Sequence, residues 1–280
     1  MNEDLKAFAE DQNSKLHCEI SPRHLAGAGD PRHATHVLRA AGWKHSGDRG
    51  LPHVRLTSPD RSLSLSIEPS TASFPPWWRL GTHPFTPGYW TARFDGNTPV
   101  EIIAGLTDSL TRPAPEQQSP DVWETLAAAG WNVISNEPHR GEAHAPHPGL
   151  RIRQRGLGSP DDGRFWWSVE ATTENGGGGI ERIWSASLDR STPPRALEGF
   201  LAELVNPAPV LRGSHDNARH YLAVEGEPFA AGAQIVAAHE VRVAAAKAAG
   251  RALARGPERL PNAVHAPVRA TTSTPSGRTR

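Results

Sequence analysis

The sequence contains very little cysteine, lysine or methionine, and it has no long apolar run. Cys18 is its single cysteine, so an internal disulfide is excluded, and we expect the chain to work in the reducing cytoplasm. No apolar stretch approaches the roughly 18 residues that a membrane-spanning helix requires, so we expect no contact with a membrane. Residues 1–16 carry four acidic residues and no apolar stretch of the kind found in signal peptides.

Neither sign of charge is in excess. The 280 residues carry 30 Lys and Arg against 30 Asp and Glu, whereas a dedicated nucleic-acid-binding protein usually has a strong basic surplus. The charge is unevenly placed, because residues 213–280 contain nine basic and five acidic residues, a net +4, which leaves −4 for residues 1–212. Within the basic part, residues 228–255 are Ala-rich and predict a helix, and the Pro-, Thr-, Ser- and Arg-rich residues 256–280 predict disorder.

An internal repeat gives the sequence its organisation. Three landmarks recur in the same order after 88, 89 and 94 positions: 37–43 as 125–131, Trp77-Trp78 as Trp166-Trp167, and 90–99 as 184–193. We therefore predict two copies of one unit, at residues 20–113 and 119–209. An N-terminal segment, 1–19, precedes them, and a linker with a helix, 213–255, and a disordered basic tail, 256–280, follow them.

Each copy is predicted to open and close with a helix. Asp30-Pro31 and Ser119-Pro120 each place an N-cap oxygen before a proline suited to the first helical position. Gly42 and Gly130 stand where the opening helices would end in a left-handed residue. In the first copy, Thr98 and Glu101 have the spacing of a capping box for the closing helix.

Between the helices, the hydrophobic period changes from 3.6 to 2, which predicts strands. The predicted strands are 54–56, 63–67, 77–82 and 89–94 in copy one, and 150–154, 164–170 and 182–188 in copy two. The glycine run 176–179 is predicted to be a hairpin loop, since a phosphate-binding loop would need a GK[ST] sequence and a following helix. The fold class is therefore α+β, with two tandem helix–antiparallel meander–helix repeats, a C-terminal Ala-rich helix and a disordered tail.

A family resemblance rests on three phrases taken together with the Trp-Trp strand. The phrases are 21–31 (SPRHLAGAGDP), 40–43 (AAGW) and 97–104 (NTPVEIIA). In combination they resemble an actinobacterial domain of unknown function, family 317, present here as two tandem copies over about residues 20–212. The second copy departs from the pattern, because the first phrase does not recur before Ser119. The resemblance implies a soluble protein without an assigned activity, and it supplies no catalytic residue.

The histidines allow either a metal site or a polar surface. His33 and His36 are three positions apart on the first helix, downstream of His24, but no Cys or acidic ligand completes a recognisable zinc site. We interpret them as a solvated helix face. His139, His144 and His147 lie among Pro and Gly and are interpreted as a polar loop that could bind metal opportunistically. No cofactor and no resident metal are expected.

Catalytic signatures are weak throughout the sequence. It has no nucleophile elbow of the G-x-S-x-G type, and Cys18 stands in no thiol signature. Asp161-Asp162 precedes Gly163 in a predicted turn, where Asp is favoured for backbone reasons. No catalytic residue is assigned, and an uncharacterised enzyme remains an alternative.

The Trp-Trp pairs supply the candidate binding residues. Adjacent strand residues point to opposite faces, so Trp78, Trp90, Trp167 and Trp184 are predicted to lie in the core. The polar face would then carry the candidate site: Trp77, Arg79, Arg93 and Trp166. An exposed aromatic ring among polar residues is a common interface anchor or a base-stacking platform. The alternative is that Trp77 and Trp166 are buried between the repeats or beneath a helix.

Two functions follow from these features. The first is a non-catalytic binding or scaffold module whose partner is an unknown macromolecule, a protein rather than a nucleic acid. The second is a nucleic-acid-binding accessory protein that uses the basic C-terminal helix and tail. The acidic balance of residues 1–212 favours the first.

Overall fold

The computed structural model describes residues 3–46, 53–69, 76–84, 86–112, 120–137, 140–156, 165–216 and 220–255. It contains six α-helices within these ranges: α1 Glu3–Asn13, α2 Arg32–Ala40, α3 Val100–Thr111, α4 Val122–Ala128, α5 Pro194–Leu204 and α6 Gly232–Arg255. One turn of 3-10 helix, Arg23–Leu25, precedes α2. The strands of copy one are β2 Lys44–His45, β3 Val54–Thr57, β4 Leu63–Ile67, β5 Pro76–Thr82 and β6 Thr91–Asp95. Those of copy two are β7 Asn132–Ser135, β8 Glu142–His144, β9 Leu150–Gly156, β10 Phe165–Glu174 and β11 Ile180–Asp189. Three further strands are β1 His17–Ser21, β12 Val210–Gly213 and β13 Val224–Glu225.

The ten strands of the two copies form a single antiparallel sheet. Its order is β2-β3-β4-β5-β6-β11-β10-β9-β8-β7, so two five-stranded meanders meet edge to edge where β6 pairs with β11. This order confirms the α+β class and the tandem helix–meander–helix arrangement. The two meanders share one core, because the helices that open and close both copies pack on the same side of the sheet.

The two copies are related by a pseudo-twofold axis. In the junction between β6 and β11, Arg93 stands directly opposite Ser187, its own equivalent 94 positions later. The same holds for the closing helices, where a Cβ on Gly105 or on Gly199 would lie 2.3 Å from the carbonyl oxygen of the other. Contacts between equivalent residues require a twofold relation, since a translation brings each residue against a different one.

Two carboxylates repeat this symmetry beside the axis. Asp95 accepts hydrogen bonds from the backbone N–H and the hydroxyl of Ser185, both at 2.8 Å. Its equivalent Asp189 accepts from the backbone N–H and the hydroxyl of Thr91, at 2.7 and 3.1 Å. Each carboxylate therefore fastens the edge strand of the other copy.

The tryptophan alternation is confirmed for the core. Trp78, Trp90, Trp167 and Trp184 are between 0% and 6% exposed. The predicted apolar faces of the closing helices are also buried, with Ile102, Ile103 and Leu106 of α3 at 0%. Burial of this apolar surface is the main force that holds the helices on the sheet.

Both opening helices end as predicted. α2 also begins as predicted, because Asp30 accepts from the Arg32 backbone N–H at 2.9 Å, whereas α4 begins differently. Gly42 and Gly130 have φ values of 97° and 81°, the left-handed conformation that closes a helix. The predicted N-cap Ser119 lies outside the described residues, and Asp121 caps α4 by accepting from the N–H groups of Trp123 and Glu124, each at 3.0 Å. A carboxylate one position beyond the proline therefore takes the capping role.

The predicted capping box of α3 is wrong. Glu101 is turned away from Thr98 and pairs in a fork with the Arg212 guanidinium, at 2.7 and 2.8 Å. Arg212 is only 5% exposed. Leaving the buried Arg212 guanidinium without a counter-ion would cost more free energy than leaving the helix terminus uncapped. Glu101 therefore pairs with Arg212 instead of forming the cap.

A small second sheet holds the phrase 21–31 in place. β1 pairs with β12 and β13, and Arg212 of β12 also donates to the carbonyls of Ala26 and Gly27. The phrase accepts a hydrogen bond from Trp184 of copy two at the carbonyl of His24, 2.8 Å away. Because it bonds to both halves, a single copy of the phrase serves the whole molecule, which explains why it does not recur.

The C-terminal helix covers copy one. α6 packs against α1, α2 and α3, and its Gly250 lies so close to α2 that a Cβ there would be 2.7 Å from the carbonyl oxygen of Ala41. Among the described residues, no helix combines the length and apolarity needed to cross a membrane. The predicted disordered tail, 256–280, lies outside the described residues.

Candidate binding face

The sheet face opposite the helices carries polar side chains across both copies. The strand alternation that buries Trp78 and Trp167 turns every second residue to this side, which we call the open face. A single cross-strand row runs through eight strands in register: Arg55, Ser66, Arg79, Arg93, Ser187, Ser168, Arg153 and Glu142. The open face is therefore one continuous surface that crosses the pseudo-twofold axis.

Arg79, Arg93 and Trp166 occupy strand positions that alternate with core residues and therefore lie on the open face, whereas Trp77 stands at a bulge in β5 and also packs against the core. Arg79 and Arg93 are exposed and directly opposite each other on β5 and β6. Trp77 and Trp166 are half-buried, whereas their neighbours Trp78 and Trp167 are 5% and 6% exposed, which confirms the predicted order of burial.

The two tryptophans stand on opposite sides of the axis. Three strand spacings separate β5 from β10, and the rows of Asp95 and Asp189 are four residues apart along β6 and β11. These spacings place the two rings about 20 Å apart on the diagonal. The Trp77 ring lies against Gly96, where a Cβ would come within 2.5 Å of it, so only a glycine leaves room for this ring.

The open face has its unbalanced charge near the centre. Glu68 lies 3.6 Å from Arg55 and 3.4 Å from Arg79, and Glu170 lies 2.7 Å from Arg151. Arg93 has no hydrogen bond or ion pair with the described residues. Arg93 stands directly opposite Arg79, which is already paired with Glu68, so an acidic group bound at this place would pair with the Arg93 guanidinium.

The interpretation of His33 and His36 as a solvated face is wrong. Both are partly buried under α1 and α6, where the His36 Nδ1 lies 3.2 Å from the His239 Nε2 and the Phe8 ring packs 4.3 Å from the His239 ring. Burial lowers the pKa of His33 and His36, and it lowers the pKa of His239 to about 3. The cluster is therefore an uncharged helix interface.

The second histidine group is only partly a loop. His144 belongs to β8 and its Nε2 lies 2.7 Å from a Glu142 oxygen, His147 is exposed, and His139 lies outside the described residues. Within the described residues, no group of three or more His, Cys, Asp or Glu side chains is arranged to hold a metal ion. The glycine run 176–179 is a hairpin turn closed by Asn175, as predicted, and Asp161-Asp162 lies outside the described residues.

Two features important to the architecture escaped sequence reasoning. One is the pair of Glu101 and Arg212. Burial would raise the pKa of the Glu101 carboxyl, but the Arg212 guanidinium outweighs it and lowers that pKa to about 2. The other is a groove of about 890 Å³ beside His24, assembled from segments more than 180 positions apart. Neither feature has a local signal in the sequence.

The comparisons with known proteins agree with the repeat. Two segments match one family model. The family is SPDY, a Domain of unknown function (DUF317), and the matched residues are 57–116 and 145–210. The two SPDY matches begin at equivalent β-turns. The first turn contains Pro59, which lies next to Gly42, and the second contains Pro146, which lies next to Gly130; each of these glycines directly precedes the Trp that follows the first helix of its copy. No curated protein and no solved structure matches the chain.

Proposed function

We propose that this chain is a non-catalytic binding module made of two SPDY-type units, residues 20–113 and 119–209, and that a protein partner docks on the open face. The assignment to an actinobacterial SPDY lineage and to the cytoplasm, where the buried Cys18 stays reduced, belongs to the same proposal. The observation that carries it is the position of Arg79, Arg93 and Trp166 on one continuous polar surface, with the half-buried Trp77 at the adjoining bulge of β5.

The composition of the open face supports a protein partner. Tryptophan and arginine are the residues most often found at energetically dominant interface positions. Here their backbone is already fixed on paired strands, so only side-chain entropy is lost when they are covered. The serines between them offer hydrogen-bond donors and acceptors without bulk, which suits a surface that must be approached closely.

The structure weakens the case for a nucleic acid on the basic helix. Arg242 of α6 forms a fork with Asp108 at 2.8 and 2.9 Å, and it also donates to the carbonyl of His33. Its charge is therefore used to dock the helix. The remaining basic residues of α6 are few for a binding mode in which phosphate contacts supply most of the affinity.

The test is affinity capture with full-length variants. The bait proteins are the wild type, Arg93→Glu and Trp166→Ala on the open face, and Arg251→Glu on α6 as the matched charge reversal. Bound protein and bound nucleic acid are both quantified. We expect wild type and Arg251→Glu to retain the same protein in similar amounts. Either open-face variant should retain at least tenfold less of it.

Two results would contradict the proposal. One is retention of nucleic acid that only Arg251→Glu abolishes, which supports the basic helix. The other is a protein partner that all variants retain equally. Urea unfolding provides the folding control, because Trp166→Ala should cost much less than the roughly 3–5 kcal/mol expected for the buried Trp167→Ala.

A further inference from the structure

The groove beside His24 has a counterpart in copy one. Each lies between the Trp that follows the first helix, the β-turn at the start of the SPDY match and the last turn of the closing helix. In copy one these parts are Trp43, Pro59 and Leu110, and α6 forms the remaining wall. In copy two they are Trp131, Pro146 and Leu204, and the phrase 21–31 with residues 222–226 forms the remaining wall.

The walls of the copy-two groove are mostly apolar. Prolines, aliphatic side chains and Trp131 line it, and Leu222 and Val224 at its edge are 54% and 67% exposed. Exposed apolar side chains gathered at the mouth of a concave site are typical of ligand-binding grooves. A volume of about 890 Å³ falls in the range of pockets that take up a small organic molecule.

The charged groups around the groove are already neutralised or point to water. The Arg23 guanidinium, 8% exposed, pairs with Glu203 and donates to the carbonyl of Ala208 at 3.2 and 3.3 Å. Glu19 and Glu225 are exposed at the rim. A ligand inside the groove therefore meets no unpaired charge among the described residues.

His24 is the polar group left without a partner. It is 5% exposed and lines the groove, and its Nε2 makes no hydrogen bond within the described part of the chain. Burial lowers the pKa of the His24 ring to about 4, so the ring is neutral at pH 7. A neutral imidazole has one acceptor nitrogen, and in the Nδ1-protonated tautomer that acceptor is Nε2. A buried acceptor without a donor is unfavourable, and a ligand that donates to Nε2 would remove this penalty.

We propose that the copy-two groove is a binding site for an uncharged aromatic molecule that donates one hydrogen bond, from a hydroxyl or an N–H, to His24 Nε2. The apolar walls and the Trp131 ring take up the aromatic body, and the single acceptor fixes its orientation. The copy-one groove has no buried histidine among its lining residues, so it lacks this selectivity. The site is separate from the open face and does not depend on it.

The test uses 2-naphthol as the probe and 2-methoxynaphthalene, which has no donor, as its matched analogue. Calorimetric titration of the full chain should show one saturable site for 2-naphthol and at least tenfold weaker binding of the methoxy analogue. His24→Leu should remove this preference, and His147→Leu, which changes an exposed histidine at the same groove, should keep it. Trp131→Phe should weaken binding and the equivalent Trp43→Phe should leave it unchanged.

The wild-type chain gives a second readout that needs no substitution. In ¹⁵N spectra of the histidine side chains, 2-naphthol should shift one acceptor-type Nε2 resonance in the direction of hydrogen-bond formation. Absence of saturable binding, equal affinity for the two probes, or loss of binding in Trp43→Phe instead of Trp131→Phe would each overturn the proposal.

Discussion

The two copies are alike at the axis and different at their flanks. At the axis, Asp95 and Asp189 make the same two hydrogen bonds to the opposite strand, and Gly105 and Gly199 make the same close contact. At the flank of copy one, α2 lies beneath α1 and α6. At the flank of copy two, α4 packs its own Trp123 against Gly141 and Trp167 and leaves the His24 groove beside it.

This difference shows where the repeat was free to diverge. A substitution at the axis affects a contact that both copies share. A substitution at a flank affects one copy only. Positions 101 and 195 illustrate the point. Glu101 holds the buried Arg212, while its equivalent Arg195 lies on the surface and donates to the carbonyl of Arg112 at 3.1 Å.

The largest effect is expected at this unequal pair. Glu101→Ala removes one partner of a buried ion pair and should lower the free energy of unfolding by about 3–5 kcal/mol. Arg195→Ala removes a half-buried side chain whose hydrogen bond to the Arg112 carbonyl is exposed, and should change the free energy of unfolding by less than about 1 kcal/mol. Urea unfolding measures both, and similar values for the two variants would mean that the Arg212 pair contributes little.

The next effect tests the shared contact. Gly105→Ala and Gly199→Ala should each lower the free energy of unfolding by about 3 kcal/mol, because the new Cβ would overlap backbone atoms that cannot withdraw. The two variants should agree with each other, since the contact is symmetric. Gly176→Ala, where nothing lies within 4 Å of the added Cβ, is the control. A large difference between positions 105 and 199 would argue against the twofold relation.

The smallest effect concerns the histidine cluster that only copy one possesses. Burial lowers the pKa of His239 to about 3, and the charges nearest to it are His33, His36 and Arg242, which lower it further, and Asp30, which raises it. The unfolded chain takes up a proton near pH 6.5 and the folded cluster does not, so the free energy of unfolding falls as the pH drops below 6.5.

For His239 alone the loss between pH 7 and pH 5 is about 2 kcal/mol. Urea unfolding at several pH values measures the slope of the free energy of unfolding against pH. His239→Gln should flatten it, and His147→Gln, at an exposed site, should not. Amide hydrogen exchange should show α6 losing protection before the ten-stranded sheet, and simultaneous loss would mean that the cluster does not control α6 docking.

The predictions from sequence succeeded where a side chain's direction depends on its own strand or helix. Alternation along β5 and β10 fixed which tryptophan of each pair is buried, because a strand backbone turns successive side chains to opposite faces. The helix ends at Gly42 and Gly130 followed from the backbone conformation that only glycine adopts without strain.

The failures concern contacts between distant segments. His36 and His239 are 203 positions apart and Glu101 and Arg212 are 111 apart, so neither contact leaves a periodic trace in the sequence. Six strands were not predicted, namely β2, β7 and β8 at or near the edges of the large sheet and β1, β12 and β13 of the small sheet, because each has at most five residues. Arg79, Arg93 and Trp166 keep the predicted strand alternation and Trp77 lies at a bulge, but nothing local in the sequence marks the groove beside His24.

The twofold contact between α3 and α5 has a consequence for how such a chain can arise. An interface in which each residue meets its own equivalent is complementary to itself, which is the requirement for a symmetric homodimer. One unit of about 90 residues therefore carries both sides of the β6–β11 junction and of the glycine crossing. Duplication in tandem would join two such subunits into one chain, after which each half could change its flank independently of the other.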